Sequence, residues 1–415
     1  MRRVMSGTAA WRGSSVARVA DFNLAVLIDT IRRSESGLSR VELASATGLT
    51  QQAVSGITRR ALASGLLLEG ERQQPNGRGK PRTPLHLNPA GAYAVGAHID
   101  PQGLTYVIAD LAGRVVARSA RELDRDAEPD DVMAGMAVEI DRLVSSSGIP
   151  RDRVVGVGVA SPGPVDLGRG MIVSPPHLPR WRDVRVTTEL ARRTSLPVIL
   201  DKDVAAAAVG ERWAGTTMHS ADSAFLYMST GVGVGIVAGG SVLRGRTGNA
   251  GDVGHLSVDS AGFHCPCGLR GCLAGVLSTD GILADAVADG ALPSAPATRE
   301  AALPMLTTLV ERYEAGSPAA TATIERAAAR LAVAIRTIAN ITDAQVVAIG
   351  GMTWARVSDA IMPLLDGLLA AGLARGPDVP LRVTTSAFGE DAAAIGTACL
   401  VLDDAFMPSA GTFAL

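Results

Sequence analysis

Between Gly251 and Cys272 the sequence reads GDVGHLSVDSAGFHCPCGLRGC, a stretch holding three of the chain's four cysteines and two of its six histidines. One imidazole with the thiols of Cys265, Cys267 and Cys272 makes a complete tetrahedral set for zinc, and Gly268 and Gly271 permit the turns that fold three sulfurs around one centre. Four protein ligands leave no open position, so the expected zinc is structural and not catalytic. His255 and His264 compete for the fourth place. Cys399 stands apart in an apolar run and reads as a core residue. No N-terminal run has the continuous apolar core of a signal peptide, and no stretch has the apolar length of a membrane span. A cytoplasmic protein without a membrane partner is therefore expected, and in a reducing compartment clustered thiols point to metal before disulfides.

The 415-residue chain that must position these ligands is long enough for two or three domains. Its formal net charge of -2 conceals an asymmetry, because residues 1–87 hold 13 Lys+Arg against 6 Asp+Glu and the remainder carries 26 against 35. A basic head on an acidic body calls for a polyanion partner at the head. The composition of residues 1–20 predicts a loose arm. From Asp21 to Arg33, Phe22, Ala25, Val26, Ile28 and Ile31 fall on one apolar helical face. Ser39 and Glu42 have capping-box spacing for a second helix, and Gly48 permits a tight turn after it. A third helix follows, with Thr50 as N-cap, Val54, Ile57 and Ala61 inward, and Gln51, Gln52, Ser55 and Arg59 outward. Two short helices around a glycine turn read as helix-turn-helix, whose second helix enters the major groove. Gln51, Gln52 and Ser55 are candidate base readers, since amide side chains match the N6/N7 edge of adenine. The tip NGRGKPR lies between two strand-like apolar runs, as in a winged-helix domain, and places Arg78 and Lys80 where they could grip phosphate or enter the minor groove. The whole DNA-binding domain is expected over residues 21–88.

From residue 92 onward, near-continuously apolar strand patterns alternate with helical ones, which predicts α/β layers in two lobes. The segments GVASPGPVD, PVILDKDVAAAAVGE, STGVGVG, GNAGDVGH with CPCGLRGC, VVAIGG and FGEDAAAIGTA occur in the order found in the ROK family of sugar kinases and sugar-linked transcriptional repressors. The chain resembles that family over nearly its whole length, and its added head, with GRGKP, resembles the DNA-binding branch. The resemblance implies an actin-like body, with one lobe over 89–205 to which helix 388–404 returns and a second over 206–387 that carries the zinc loop. It assigns the zinc to His255 with Cys265, Cys267 and Cys272, and it implies that His255 and Asp252 line a sugar pocket together with Gly163, Lys202 and Asp203. Asp252 stands where the family has glutamate, one methylene longer.

The kinase machinery that the resemblance implies is eroded in this sequence. Asp203 matches the family's proton-accepting carboxylate, but Lys202 and Ala205 replace two asparagines, and Ala274 replaces a glutamate two residues after the last zinc cysteine. The first phosphate turn reads DPQGLT from Asp100 to Thr105 in place of DxGGT, and Pro101 has no amide hydrogen to donate. STGVGVG at 229–235 and the glycines at 350–351 remain suited to phosphate and adenosine, or to packing alone. No catalytic residue is assigned; Asp203 is a vestigial base. Lys202 either faces solvent or points into the pocket, where it would lower the pKa of Asp203 and favour a sugar phosphate or an acidic sugar. The expectation is a DNA-binding regulator, a repressor, that senses a sugar or derivative and binds a palindromic double-stranded operator as a homodimer or homotetramer. An ATP-dependent sugar kinase with a DNA-binding head is the alternative, and a ligand-free dimerisation scaffold is the third reading.

Overall fold

The computed structural model describes residues 16–74, 81–176, 178–376 and 379–406. The head consists of α1 (Val16–Arg32), α2 (Arg40–Thr47), α3 (Gln51–Ala63), β1 (Leu67–Glu69) and β2 (Leu85–Leu87). Its helix ends follow from sequence. Ser39 and Glu42 form the full capping box, Gly48 closes α2 in the left-handed conformation at φ 71°, and the Thr50 hydroxyl accepts from the Ala53 N–H. β1 and β2 pair antiparallel with Leu67 opposite Leu87, and Leu38 bridges to Leu85, which makes the wing's base. Arg78 and Lys80 lie outside the described residues.

Two expectations for the head are corrected. The first helix begins at Val16, inside the segment expected to be a loose arm. It also buries two faces and not one. Leu27 and Ile31 enter the head's own core with Leu43, Val54, Ile57, Leu67 and Leu85, whereas Ile28 packs into the body beside Trp213 and Leu402. Val26, expected inward, is only half-buried. A helix clamped from both sides shows no single stripe, which is why the expected face omitted Leu27.

The body repeats one sheet pattern twice. In the first half, β3 (Tyr93–Asp100), β4 (Gly103–Asp110), β5 (Val115–Arg121), α4 (Pro129–Ser146), β6 (Val154–Ser161), the short hairpin β7 (Val165–Asp166) and β8 (Met171–Ile172), α5 (Val186–Thr194), β9 (Val198–Lys202) and α6 (Asp203–Ala214) give a sheet of order β5-β4-β3-β6-β9. In the second, β10 (Ser223–Met228), β11 (Val232–Ala238), β12 (Ser241–Val242), α7 (Leu273–Leu277), α8 (Thr279–Ala288), α9 (Ala302–Glu314), α10 (Pro318–Thr342), β13 (Val346–Gly350), α11 (Trp354–Leu369) and β14 (Arg382–Thr385) give the order β12-β11-β10-β13-β14. Each sheet is an antiparallel three-strand meander extended by two parallel strands. Helices cover the outer faces, as near-continuously apolar strands require.

The last helix, α12 (Ala392–Phe406), returns to the first sheet and lies against β3, β6 and α6. Its approach is possible because the facing positions lack side chains. A Cβ on Gly96 or Gly158 would overlap the carbonyl oxygens of Ala394 or Thr397, and one on Gly210 would sit 2.9 Å from the Cα of Gly396. α6 runs between the two sheets, and every residue from Asp203 to Trp213 is buried. The lobe boundary expected at 205/206 falls inside this helix, because β9 leads straight into α6 with no linker.

Candidate functional site

The cysteine-rich loop forms a compact cage. The ligand atoms of His255, Cys265, Cys267 and Cys272 all lie within 4.8 Å of one another. Cys267 Sγ is 3.5 Å from Cys272 Sγ, and Cys265 Sγ is 3.5 Å from His255 Nδ1. A tetrahedron with metal–sulfur bonds of about 2.3 Å has sulfur–sulfur edges of about 3.8 Å, so the donor set fits a metal ion. His264, the competing histidine, contacts the Arg270 guanidinium and stands outside the cage. Backbone bonds from Leu273 N–H to Leu256 O (2.8 Å) and from Val258 N–H to Gly271 O (3.0 Å) hold the loop closed, and Arg330 of α10 grips Asp259 at 2.7 Å. The Leu269 N–H brings the Cys267 thiol down to about 7, while burial pushes Cys272 up to about 12.

A second cluster gathers where β9 passes into α6, at the carboxyl ends of the parallel strands β3, β6 and β9, the edge at which open α/β sheets bind ligands. Asp203, the first residue of α6, is buried and accepts from the Val204 N–H at 2.7 Å. Lys202 is also buried, so the solvent-facing alternative is excluded; its stem crosses Gly163, with Cε 3.0 Å from where a Cβ on that glycine would lie. Asn249 Oδ1 accepts from the Val165 N–H at 2.9 Å, and the Arg244 guanidinium pairs with buried Asp201 at 2.8 Å; both contacts join the second half of the body to the first across this cleft. Asp252 is exposed on the loop that continues to His255, and its charge, like that of Asp100, is felt at Asp203. Gly163, Lys202, Asp203 and Asp252 thus meet at one place, and His255 joins the cage to it through the same loop. Asn249, Asp201 and Arg244 were missed in the sequence, where nothing marks a residue that bridges lobes.

The electrostatics of this cleft overturn one expectation. Lys202 does act to lower the pKa of Asp203, as does the Val204 N–H, but burial outweighs both and raises the carboxyl to about 7. Burial likewise lifts Asp100 to about 6 against the Gln102 N–H and the charge of Arg299. A carboxyl with a pKa near neutrality can donate as well as accept a hydrogen bond there.

Three of the glycines suited to nucleotide have packing explanations, whereas a Cβ on Gly231 would meet nothing within 4 Å. A Cβ on Gly235 would overlap the Val204 carbonyl of α6, one on Gly350 would lie 2.7 Å from the Phe225 ring, and one on Gly351, at φ 104°, would overlap the Met228 carbonyl. In the first phosphate turn, Pro101 is buried and the Gln102 N–H is bound by Asp100 at 2.8 Å, which leaves this amide engaged within the protein.

In the head, Thr50, Gln51, Gln52 and Arg59 are exposed on one side of α3 and Ser55 is half-buried. Arg60, overlooked in the sequence, is exposed next to Arg59 and extends the same basic edge.

The model of the ROK family matches residues 102–404. The chain belongs to the ROK family. It is 26% identical to the xylose repressor of Bacillus subtilis over 61% of its own length and 65% of the repressor's, and 29% identical to the glucokinase of Halalkalibacterium halodurans over 73% and 93%. It therefore spans a little under two thirds of that xylose repressor. Among solved structures, a ROK family transcriptional regulator, a homologue of the E. coli MLC protein, superposes with a TM-score of 0.75 at 24% identity, covering 94% of this chain and 97% of that one. The ROK hexokinase of Thermus thermophilus gives 0.62 at 26% identity and covers 75% of this chain and 99% of that one. Among the described residues, no helix is long and apolar enough to cross a membrane.

The raised carboxyl of Asp203 sets a pH dependence. Because its folded pKa of about 7 exceeds the ordinary 3.8, the folded protein holds a proton that the unfolded chain has lost between those values, so this group's contribution is complete below pH 4 and disappears as pH rises through 7. Asp203→Asn should raise the thermal midpoint relative to the parent at pH 8, and the difference should vanish near pH 4. A series of thermal melts across that range measures it; a constant difference would place the effect elsewhere.

Proposed function

We propose that this ROK family member is a sugar-responsive, sequence-specific DNA-binding regulator, acting as a repressor, and not a sugar kinase. The observation that carries this reading is the head itself, a capped helix-turn-helix with a paired wing base, and the regulator's fold covers 94% of the chain where the hexokinase's covers 75%. The names of the xylose repressor and of the N-acetylglucosamine repressor of E. coli, 26% identical over 57% of this chain, support it. Gln51, Gln52 and Ser55 read bases, while Thr50, Arg59, Arg78 and Lys80 hold phosphates or, from the wing, the minor groove. The operator is double-stranded and palindromic, and the protein meets it as a homodimer or homotetramer. The glucokinase relatives and the open position at Gly231 favour the kinase alternative; the engaged amide at Gln102 and the packing roles of Gly235, Gly350 and Gly351 weigh against it.

The ion in the cage is zinc, structural because four side chains complete its coordination. It fixes the loop from Asp252 to Cys272 as one wall of the effector site, whose other residues are Gly163, Lys202 and Asp203. α6 links that site to the head. Its first turn carries Asp203, and its last carbonyls, of Arg212 and Trp213, accept from Arg32 of α1. The Arg32 guanidinium also stacks over the Trp213 ring at 4.7 Å and pairs with Asp29 at 2.5 Å. A cation at a helix C-terminus is favourable in itself, and here it seats the head on the helix that begins in the effector site. An effector that shifts α6 changes the head's seating, and the two heads of an oligomer no longer match both half-sites.

Selection from a random DNA library with the full-length protein tests the main claim; recovery of no sequence by folded, zinc-loaded protein would overturn it and leave coupled turnover with ATP and sugars as the deciding assay. Arg59→Ala should weaken binding to all sequences and reduce the salt slope by about one, whereas Gln51→Ala should cost about 1–3 kcal/mol at one base position and relax preference there. Elemental analysis should find about one zinc per chain, lost in Cys267→Ser together with thermal stability. Arg32→Gln should retain DNA binding yet lose the dependence of DNA affinity on effector, as read by fluorescence anisotropy with and without the active sugar.

A further inference from the structure

Lys202 is one of only two lysines in the chain and the only one of them among the described residues. It is 6% exposed and is the N-cap of α6, yet its side chain caps no helix amide. None of the ion pairs involves it, and among the described residues no group accepts a hydrogen bond from its ammonium. Its nitrogen is not among the fully buried atoms left without a partner, so the ammonium meets solvent in the cleft, where a ligand anion can take the place of water. The neighbouring carboxylates make no hydrogen bond to it, although its charge is felt at Asp203. Asp201 is committed to Arg244 at 2.8 Å and to the Lys202 N–H at 2.8 Å, and Asp203 directs Oδ1 to the Val204 N–H. Asp100 faces Arg299 and the Gln102 N–H, and Asp252 is exposed.

The surroundings hold the lysine in place. Its Cδ and Cε rest over Gly163 at 3.4 and 3.0 Å from a would-be Cβ, and Asn249 Oδ1 comes within 3.1 Å of the same point, so the stem is threaded between the loop after β6 and the loop before the metal cage. The head group is left beside the first turn of α6, where the helix dipole also favours negative charge. The protonated form of Asp203, populated up to about pH 7, adds a donor and removes a competing negative charge.

We propose that the effector of this protein carries an anionic group, a phosphate or a carboxylate on a sugar, and that Lys202 binds it at the N-terminus of α6. This rests on the reading of the cleft as an effector site and adds the chemical class of the ligand. A neutral sugar could satisfy the ammonium with a hydroxyl but would leave its charge balanced only by the partly protonated Asp203, which is the discrimination the site exploits.

The test is calorimetric titration of full-length, metal-loaded protein with two matched trios and a pair: glucose, glucose 6-phosphate and glucuronate; xylose, xylose 5-phosphate and xylonate; N-acetylglucosamine and its 6-phosphate. An anionic member of one trio should bind at least about ten-fold tighter than its neutral parent, equivalent to about 1.4 kcal/mol. Lys202→Gln should abolish that preference while Lys202→Arg retains most of it, with both variants folded as judged by their thermal melts. The phosphate and carboxylate arms identify which anion is recognised. Tighter or equal binding of the neutral parent, an anion preference that survives Lys202→Gln with the protein folded, or no binding by any member would overturn the proposal. Loss of DNA binding in the parent protein would instead count against the regulator reading, so the two failures are distinguishable.

Discussion

The close approach of α6 and α12 is the constraint on which the body depends. Gly210 and Gly396 face each other, Gly96 and Gly158 admit α12 onto the first sheet, and Gly235 admits α6 beneath the second. Backbone-to-backbone contact of this kind leaves no side chain to adjust, so a displacement of α6 has to be taken up as a rigid movement. The alanine run from Ala205 to Ala208 serves the same end, filling narrow space between the sheets at high helix propensity. What stands at the two ends of α6 is thereby fixed: a carboxyl and a lysine at the start, and a tryptophan and two capped carbonyls at the finish.

The cleft at the start of α6 places a buried carboxyl beside a mostly buried lysine. Burial dominates the chemistry of Asp203, outweighing the adjacent lysine and an N–H bond, and it places the carboxyl's titration near neutrality. A base intended for proton transfer can use such a pKa, but phosphoryl transfer also requires a phosphate cradle, and the first turn here binds its Gln102 amide to Asp100. The metal cage stiffens the adjoining loop from outside, since its four ligands lie on a segment with little regular secondary structure of its own.

Much of the site was legible because its signals are local. Ser39, Glu42, Gly48 and Thr50 form caps with neighbours three or four residues away, and Cys265, Cys267 and Cys272 lie close enough in sequence to form one cage by turns alone. Residues whose roles depend on distant partners were not legible. Leu27 and Ile28 are adjacent yet belong to different cores, Arg32 reads as an ordinary charged helix end, and Asn249 and Arg244 give no hint that they span the cleft.

Sequence by itself determined the helix-turn-helix with its caps, the alternation of sheet and helix, the metal donor set and the charge division between head and body, because propensity, periodicity and ligand chemistry act over short stretches of chain. Only the tertiary structure decided that Lys202 lies in the cleft without an acceptor among the described residues, that burial defeats that lysine at Asp203, and that Arg32 closes the far end of the same helix. Each of these is a balance between solvation and a partner far away in sequence, and such balances exist only once the chain has folded.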